Sequence, residues 1–144
     1  MSAPVRTEPA LPALEPQINR DTERFWAATL EGHLLLAVCP TCERVIWYPK
    51  PLCAACGGTP TQWRPASGRG VVHSFTVVRR GLGTFGDCGP YVIAFVELEE
   101  GPRVLTNLVD VDVDRVVIGQ PVRLVFDLAG PHAALYRFTA EAVK

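Results

Sequence analysis

Four of the five cysteines fall in two pairs, Cys39-Pro40-Thr41-Cys42 and Cys53-Ala54-Ala55-Cys56, with ten residues between the pairs. A gap of two residues lets both thiolates of a pair turn toward one ion on a tight knuckle. Two such knuckles supply four sulfurs, the tetrahedral shell of a structural zinc site. Gly57 and Gly58 follow the second pair and can adopt the positive φ of a turn closing on a metal. Two disulfides, a redox CxxC and an iron centre are the rival readings; closure by Cys39, Cys42, Cys53 and Cys56 at this spacing favours zinc. Four thiolates leave no open position for water, so the ion is expected to hold the fold and not to catalyse. The fifth cysteine, Cys88, lies apart, and a nucleophile needs a base and a group to orient it. His33, His73 and His132 are scattered, and the sequence holds no compact Ser/His/Asp set, carboxylate pair or HExxH pattern. These absences argue against an enzyme acting alone.

Gly81-Leu82-Gly83-Thr84-Phe85-Gly86 formally matches GxGxxG. A dinucleotide fingerprint must open a helix inside a strand–helix–strand unit, whereas this run is expected to join two strands. It reads as the flexible loop, from Gly81 to Pro90, where OB folds commonly contact ligands. Arg79 and Arg80 stand at its entry as candidate ligand-binding residues that can meet phosphates, or as an ordinary solvated pair.

The elements that must carry these residues are short. Thirteen prolines and twelve glycines in 144 residues point to many turns. Residues 1–19 hold Pro4, Pro9, Pro12 and Pro16, which exclude a helix there. This arm is expected to be a disordered tail, or a segment that wraps a partner through Leu11, Leu14 and Ile18. A helix is expected from Arg20 to Glu31, capped by Asn19 or Asp21 and ended by Gly32. Phe25 and Trp26 on so short a helix must bury, either against the chain's own core, which is favoured, or as anchors in a partner interface. Strands at His33–Val38 and Val45–Tyr48 flank the first knuckle, so residues 20–66 read as a helix and a zinc ribbon. From residue 67 to the end, strands are expected at Arg69–Arg80, Tyr91–Glu99, Arg103–Asp110, Pro121–Leu128 and Leu135–Ala140. Val122, Leu124, Phe126 and Leu128 alternate as a half-buried strand does. Five short antiparallel strands fit an OB-type barrel. Residues 111–119 are too few for the usual OB helix and read as a turn. The fold class is therefore mainly β: an N-terminal helix and four-Cys zinc ribbon, then a five-stranded OB-fold barrel.

With 48% apolar residues and a net charge of −1, the chain has a globular balance and lacks the basic excess of a nucleic-acid binder. No apolar run approaches the roughly 18–20 residues of a membrane helix. The first seventeen residues lack a signal-peptide core, and thiolates kept for metal suit a cytoplasmic setting.

The order of parts resembles a family in which a rubredoxin-like zinc ribbon precedes an acyl-CoA-associated OB fold. The resemblance runs from Asp21-Thr22-Glu23-Arg24-Phe25-Trp26 through Gly32-His33-Leu34-Leu35-Leu36 and the two knuckles. It continues in Ser67-Gly68-Arg69-Gly70, Pro90-Tyr91-Val92-Ile93-Ala94, Glu99-Glu100-Gly101-Pro102-Arg103, Ile118-Gly119-Gln120-Pro121 and Tyr136-Arg137-Phe138. It implies a non-catalytic accessory subunit of a thiolase-like enzyme that forms or cleaves carbon–carbon bonds in acyl-CoA compounds, with catalytic Cys and His in that partner. It also implies a hetero-oligomer and possible acyl-CoA binding; from the charge balance and the lack of a long apolar run, no nucleic-acid or membrane partner is expected. The alternatives are a nucleic-acid-binding ribbon/OB module and a stand-alone acyl-CoA-binding protein.

Overall fold

A computed structural model describes residues 2–60 and 62–141. In chain order the elements are β1 (Val5–Arg6), α1 (Glu23–Thr29), β2 (Leu35–Val38), β3 (Val45–Ile46), β4 (Gln62–Pro65), β5 (Arg69–Val78), β6 (Tyr91–Leu98), β7 (Arg103–Leu108), β8 (Pro121–Leu128) and β9 (Ala134–Ala140). β5, β6, β7, β9 and β8 pair in that cyclic order, and β8 returns to β5, so the five strands close a barrel. β2, β3 and β4 form the separate ribbon sheet, with β2 in the middle. No described helix is long and apolar enough to cross a membrane.

The barrel follows from alternation. Val92, Ala94, Val96 and Leu98 of β6 point inward, as do Val104, Thr106 and Leu108 of β7, while the residues between them face out. Ahead of β6, a bulge between Val72 and Ser74 bends β5, which leaves β8 after Val71 and continues against β6. Residues 111–119 form turns without a helix and lay Val116 into the core.

The helix is shorter than the sequence suggests. The Asn19 side-chain oxygen accepts from the Asp21 and Thr22 amides, so residues 20–22 form a turn ahead of the first helical residue. Gly32 then reverses the chain at φ 83°. A Cβ there would lie 2.3 Å from the Ala3 carbonyl oxygen, so only glycine allows the arm to pass this closely.

The arm itself departs most from expectation. β1 pairs in parallel with β8, Val5 opposite Phe126 and Arg6 opposite Asp127. Residues 2–19 are therefore built onto the chain's own barrel, and the reading of a disordered tail gives way. The consequence shows in β8, where Leu124, Val125, Phe126 and Asp127 are all buried: the barrel covers one face and the arm the other. Phe25 and Trp26 are likewise core residues, 0% and 5% exposed. Phe25 meets Trp26, Trp47, Tyr48 and Tyr136 edge-on at 4.9–6.0 Å, and the Trp26 indole N–H donates to the Tyr48 hydroxyl at 3.0 Å. An interface role for this pair is corrected accordingly, because their own chain already occupies their surfaces. Thr29 ties the helix to the barrel, accepting from the Ala134 amide at 2.9 Å.

Candidate metal centre and neighbouring sites

The two knuckles are built alike. In the first, the Glu43 amide donates to the Cys39 carbonyl (2.8 Å) and the Cys39 amide to the Arg44 carbonyl (3.0 Å). In the second, the Gly57 amide donates to the Cys53 carbonyl and the Cys53 amide to the Gly58 carbonyl, both at 2.8 Å. The residue four past the leading cysteine is left-handed in each, Glu43 at φ 62° and Gly57 at φ 76°. This shared turn aims four sulfurs at one point. The gaps are 3.5 Å from Cys39 to Cys56 and 3.7 Å from Cys42 to Cys53, and all four sulfurs lie within 4.8 Å of one another.

A tetrahedron with metal–sulfur bonds of about 2.3 Å has edges of about 3.8 Å, so the cage fits zinc. The gaps are too wide for disulfides, whose S–S bond is about 2.05 Å. Gly58 closes the cage: its amide lies 3.4 Å from the Cys56 sulfur, and an added Cβ would sit 3.1 Å from the Cys39 sulfur. The protein primes the leading cysteines. Backbone amides, first that of Cys42 and then that of Thr41, pull the Cys39 thiol down to about 6 against its burial. The Cys53 thiol is lowered in the same way by the amides of Cys56 and Ala55. The Gly58 amide pulls the Cys56 thiol down, but the three neighbouring sulfurs and burial outweigh it and leave Cys56 at about 12 without a metal. A divalent cation removes that conflict by neutralising the crowded thiolates.

The other candidates do not gather around the metal. Arg79 donates to Asp114 at 2.7 Å, tying the loop entry to the 111–119 turns. Arg80 is exposed and forms no ion pair among the described residues. The Cys88 thiol donates to the Phe85 carbonyl at 3.3 Å, and no described histidine or carboxylate bonds it. His132 sits with Glu15 and His73 near Glu97, so the histidines are as dispersed in space as in sequence.

Sequence reasoning missed one charged cluster. Asp127, 0% exposed, accepts from Arg137 at 2.7 Å and from Arg6 at 2.7 Å, and Arg6 also bonds Asp110. Arg137, 2% exposed, donates as well to the carbonyls of Leu11 (3.0 Å) and Pro12 (2.6 Å). The available signal was an Asp and an Arg each set between large apolar or aromatic neighbours, Asp127 between Phe126 and Leu128 and Arg137 between Tyr136 and Phe138. Among the aromatic rings of the helix and ribbon, burial and the nearby Tyr48 raise the Tyr136 hydroxyl to about 12.

Comparison with known proteins agrees with both modules. Residues 26–62 match the family described as "ChsH2, rubredoxin-like zinc ribbon domain", and residues 63–127 match "ChsH2, C-terminal OB-fold domain". A "Probable enoyl-CoA hydratase alpha subunit" of Thermomonospora curvata is 36% identical over 132 residues, 90% of this chain. The chain spans only 41% of that relative's length. A "DUF35 domain-containing scaffold protein" of Methanothermobacter thermautotrophicus is 35% identical over 108 residues, 74% of this chain and 81% of that one. Among solved structures, a chain of "Ltp2-ChsH2(DUF35) aldolase" is 35% identical with a TM-score of 0.78, covering 88% of this chain and 98% of the other. With the four-sulfur cage assigned as a structural zinc site by geometry and family alike, this chain belongs to the family that joins a ChsH2-type rubredoxin-like zinc ribbon to an OB fold.

Proposed function

We propose that this chain is a non-catalytic subunit that completes a thiolase-like enzyme acting on carbon–carbon bonds of acyl-CoA compounds. The observation that carries the reading is the likeness to a chain of an aldolase named for two components, 98% of whose length is matched at a TM-score of 0.78. Two features of the molecule support it. The zinc shell is filled by Cys39, Cys42, Cys53 and Cys56, so the ion offers no position to substrate. Among the described residues, no base bonds the one cysteine outside that shell, so nothing there activates its thiol. The chemistry then belongs to the partner, and this chain contributes assembly and a surface near the acyl-CoA. On that surface Asp114 holds Arg79, and we assign the bond to a CoA phosphate to the exposed Arg80 beside it, whose guanidinium can make charge-assisted hydrogen bonds.

The test is to purify the chain alone and together with the thiolase-like enzyme of the organism that makes it. A complex of defined mass is expected, with acyl-CoA turnover only in the complex. Replacing Arg79 and Arg80 by Ala is expected to raise KM for the acyl-CoA with assembly intact. Turnover by the isolated chain at enzyme-like rates, or no association with that enzyme, overturns the reading.

A further inference from the structure

The four sulfurs of the cage are not equally protected. Cys39 and Cys53, which lead the knuckles, are 0% and 3% exposed and sit in the small core with Ala37 and Ile46. Cys42 is half-buried, and Cys56 lies open to solvent. The residues around Cys56 account for this. Ala54, Ala55 and Gly57, its neighbours along the chain, are all exposed and too small to fence the sulfur. Gly58, equally small, lies against it, and an added Cβ there would meet the Cys56 sulfur at 3.3 Å. The shell is thus closed to further ligands but not to a molecule that attacks one of its own sulfurs.

A thiolate held by a metal keeps lone pairs, and thiolate character together with exposure decides which cysteine an oxidant reaches first. A second sulfur close by decides whether the product becomes a disulfide. Both close sulfur contacts of the cage cross between the knuckles, Cys39–Cys56 at 3.5 Å and Cys42–Cys53 at 3.7 Å. Cys88 differs on both counts. It is half-buried, its thiol is turned to the Phe85 and Gly89 carbonyls, and among the described residues no sulfur bonds it.

We propose that Cys56 is an oxidative modification site through which a hydroperoxide opens the zinc centre, with Cys39 of the other knuckle as the resolving sulfur. The Cys56 sulfur attacks one peroxide oxygen: the S–O bond forms, the O–O bond breaks, and the departing oxygen takes a proton and leaves as water or an alcohol. Cys56, oxidised by two electrons to a sulfenic acid, no longer offers a thiolate to the metal. The Cys39 thiolate then attacks the Cys56 sulfur; the S–S bond forms, the S–O bond breaks, and hydroxide takes a second proton and leaves as water. One hydroperoxide is reduced and two thiolates are oxidised, so Cys42 and Cys53 alone remain to hold the ion, too few for a structural site. A thiol reductant that returns both thiolates restores the cage. The inference concerns the metal centre and stands apart from the reading of the chain as a subunit.

Hydrogen peroxide added to the zinc-loaded full chain tests it, with released zinc read by a chromogenic chelator and the cysteines mapped by alkylation and mass spectrometry. Cys56 is expected to be oxidised first, the first disulfide to be Cys39–Cys56, and one zinc to leave for each such disulfide. A thiol reductant with added zinc is expected to reverse the change. Cys56→His offers a zinc ligand without an oxidisable sulfur, so release by peroxide is expected to slow by about tenfold or more. Cys88→Ser is expected to leave the rate unchanged. The wild-type map decides the site by itself, whatever the affinity of the histidine variant for zinc. Zinc release without Cys56 oxidation, a first disulfide that omits Cys56 or pairs it with Cys53 inside its own knuckle, or release slowed by Cys88→Ser overturns the proposal. Zinc retained by the wild-type chain at peroxide levels that oxidise Cys88 overturns it as well.

Discussion

Glu43 and Gly57 occupy equivalent places in the two knuckles, and only one suits its backbone. Both are left-handed, at φ 62° and 76°, because the turn must bring the amide four past the leading cysteine back to that cysteine's carbonyl. A side chain in this conformation costs about 1 kcal/mol that glycine avoids. Glu43→Gly is therefore expected to stabilise the zinc-bound protein by about 1 kcal/mol, and Gly57→Ala to destabilise it by about the same. Urea denaturation of both variants at saturating zinc checks the pair of signs. The metal centre was the part of the molecule most legible from sequence, and the reason is local. A CxxC spacing determines a knuckle within about six residues, so nothing distant is needed to place the sulfurs. Phe25 and Trp26 were legible as buried rings but not by partner, since Tyr136, which meets both, lies more than a hundred residues away.

At the scale of elements, the barrel strands were legible because inward and outward positions alternate, and their observed limits differ from the reading by only a residue or two. The arm was not legible. Its prolines correctly exclude a helix, but its partners are the distant Asp127 and Arg137, at separations of 121 and 126 residues. Composition does not register pairings of that range, so a segment without local partners reads as disordered. Asp127 is what makes the arm an element. It neutralises Arg137 inside the molecule, and Arg137 in turn holds the Leu11 and Pro12 carbonyls. Its hydrogen bond is also the main reason the Arg6 guanidinium holds its proton more tightly than usual, against the opposing effect of burial. Removing one partner of a buried pair leaves an uncompensated charge, which costs about 3–5 kcal/mol. Asp127→Asn keeps the shape and loses the charge, so a destabilisation of about 3 kcal/mol is expected in urea denaturation. It should also speed tryptic cleavage after Arg6 under native conditions. Unchanged cleavage would mean that the arm stays on β8 through its backbone pairing alone.

At the scale of the whole molecule, the two modules were legible in order but not in their union. Ribbon and barrel each announce themselves by pattern, CxxC knuckles in one and period-two strands in the other. Nothing in either pattern says that they fold as one body. In the structure, Phe25, Trp26, Leu34 and Leu36 belong to the same buried cluster as Val72, Val96 and Phe138 of the barrel. The knuckles have only a small core of their own, around Ala37, Cys39, Ile46 and Cys53. β2 joins the two cores, since Leu36 enters the large one and Ala37 the small one, one residue apart on opposite faces. A structural zinc contributes on the order of 10 kcal/mol in small peptides, comparable with the roughly 5–15 kcal/mol that holds an ordinary domain together. Stripping the metal is therefore expected to release β2 and to loosen the barrel with it. The chain carries its own probes for this: all three tryptophans, Trp26, Trp47 and Trp63, lie in the helix and ribbon, while most of the strand signal in circular dichroism comes from the barrel. On heating after chelation, fluorescence and circular dichroism should report one coincident transition at a temperature well below that of the zinc-bound protein. A tryptophan transition that separates from an unshifted barrel transition would instead make the ribbon an independent module, because a barrel that keeps its stability does not depend on Leu34 and Leu36 staying in its core.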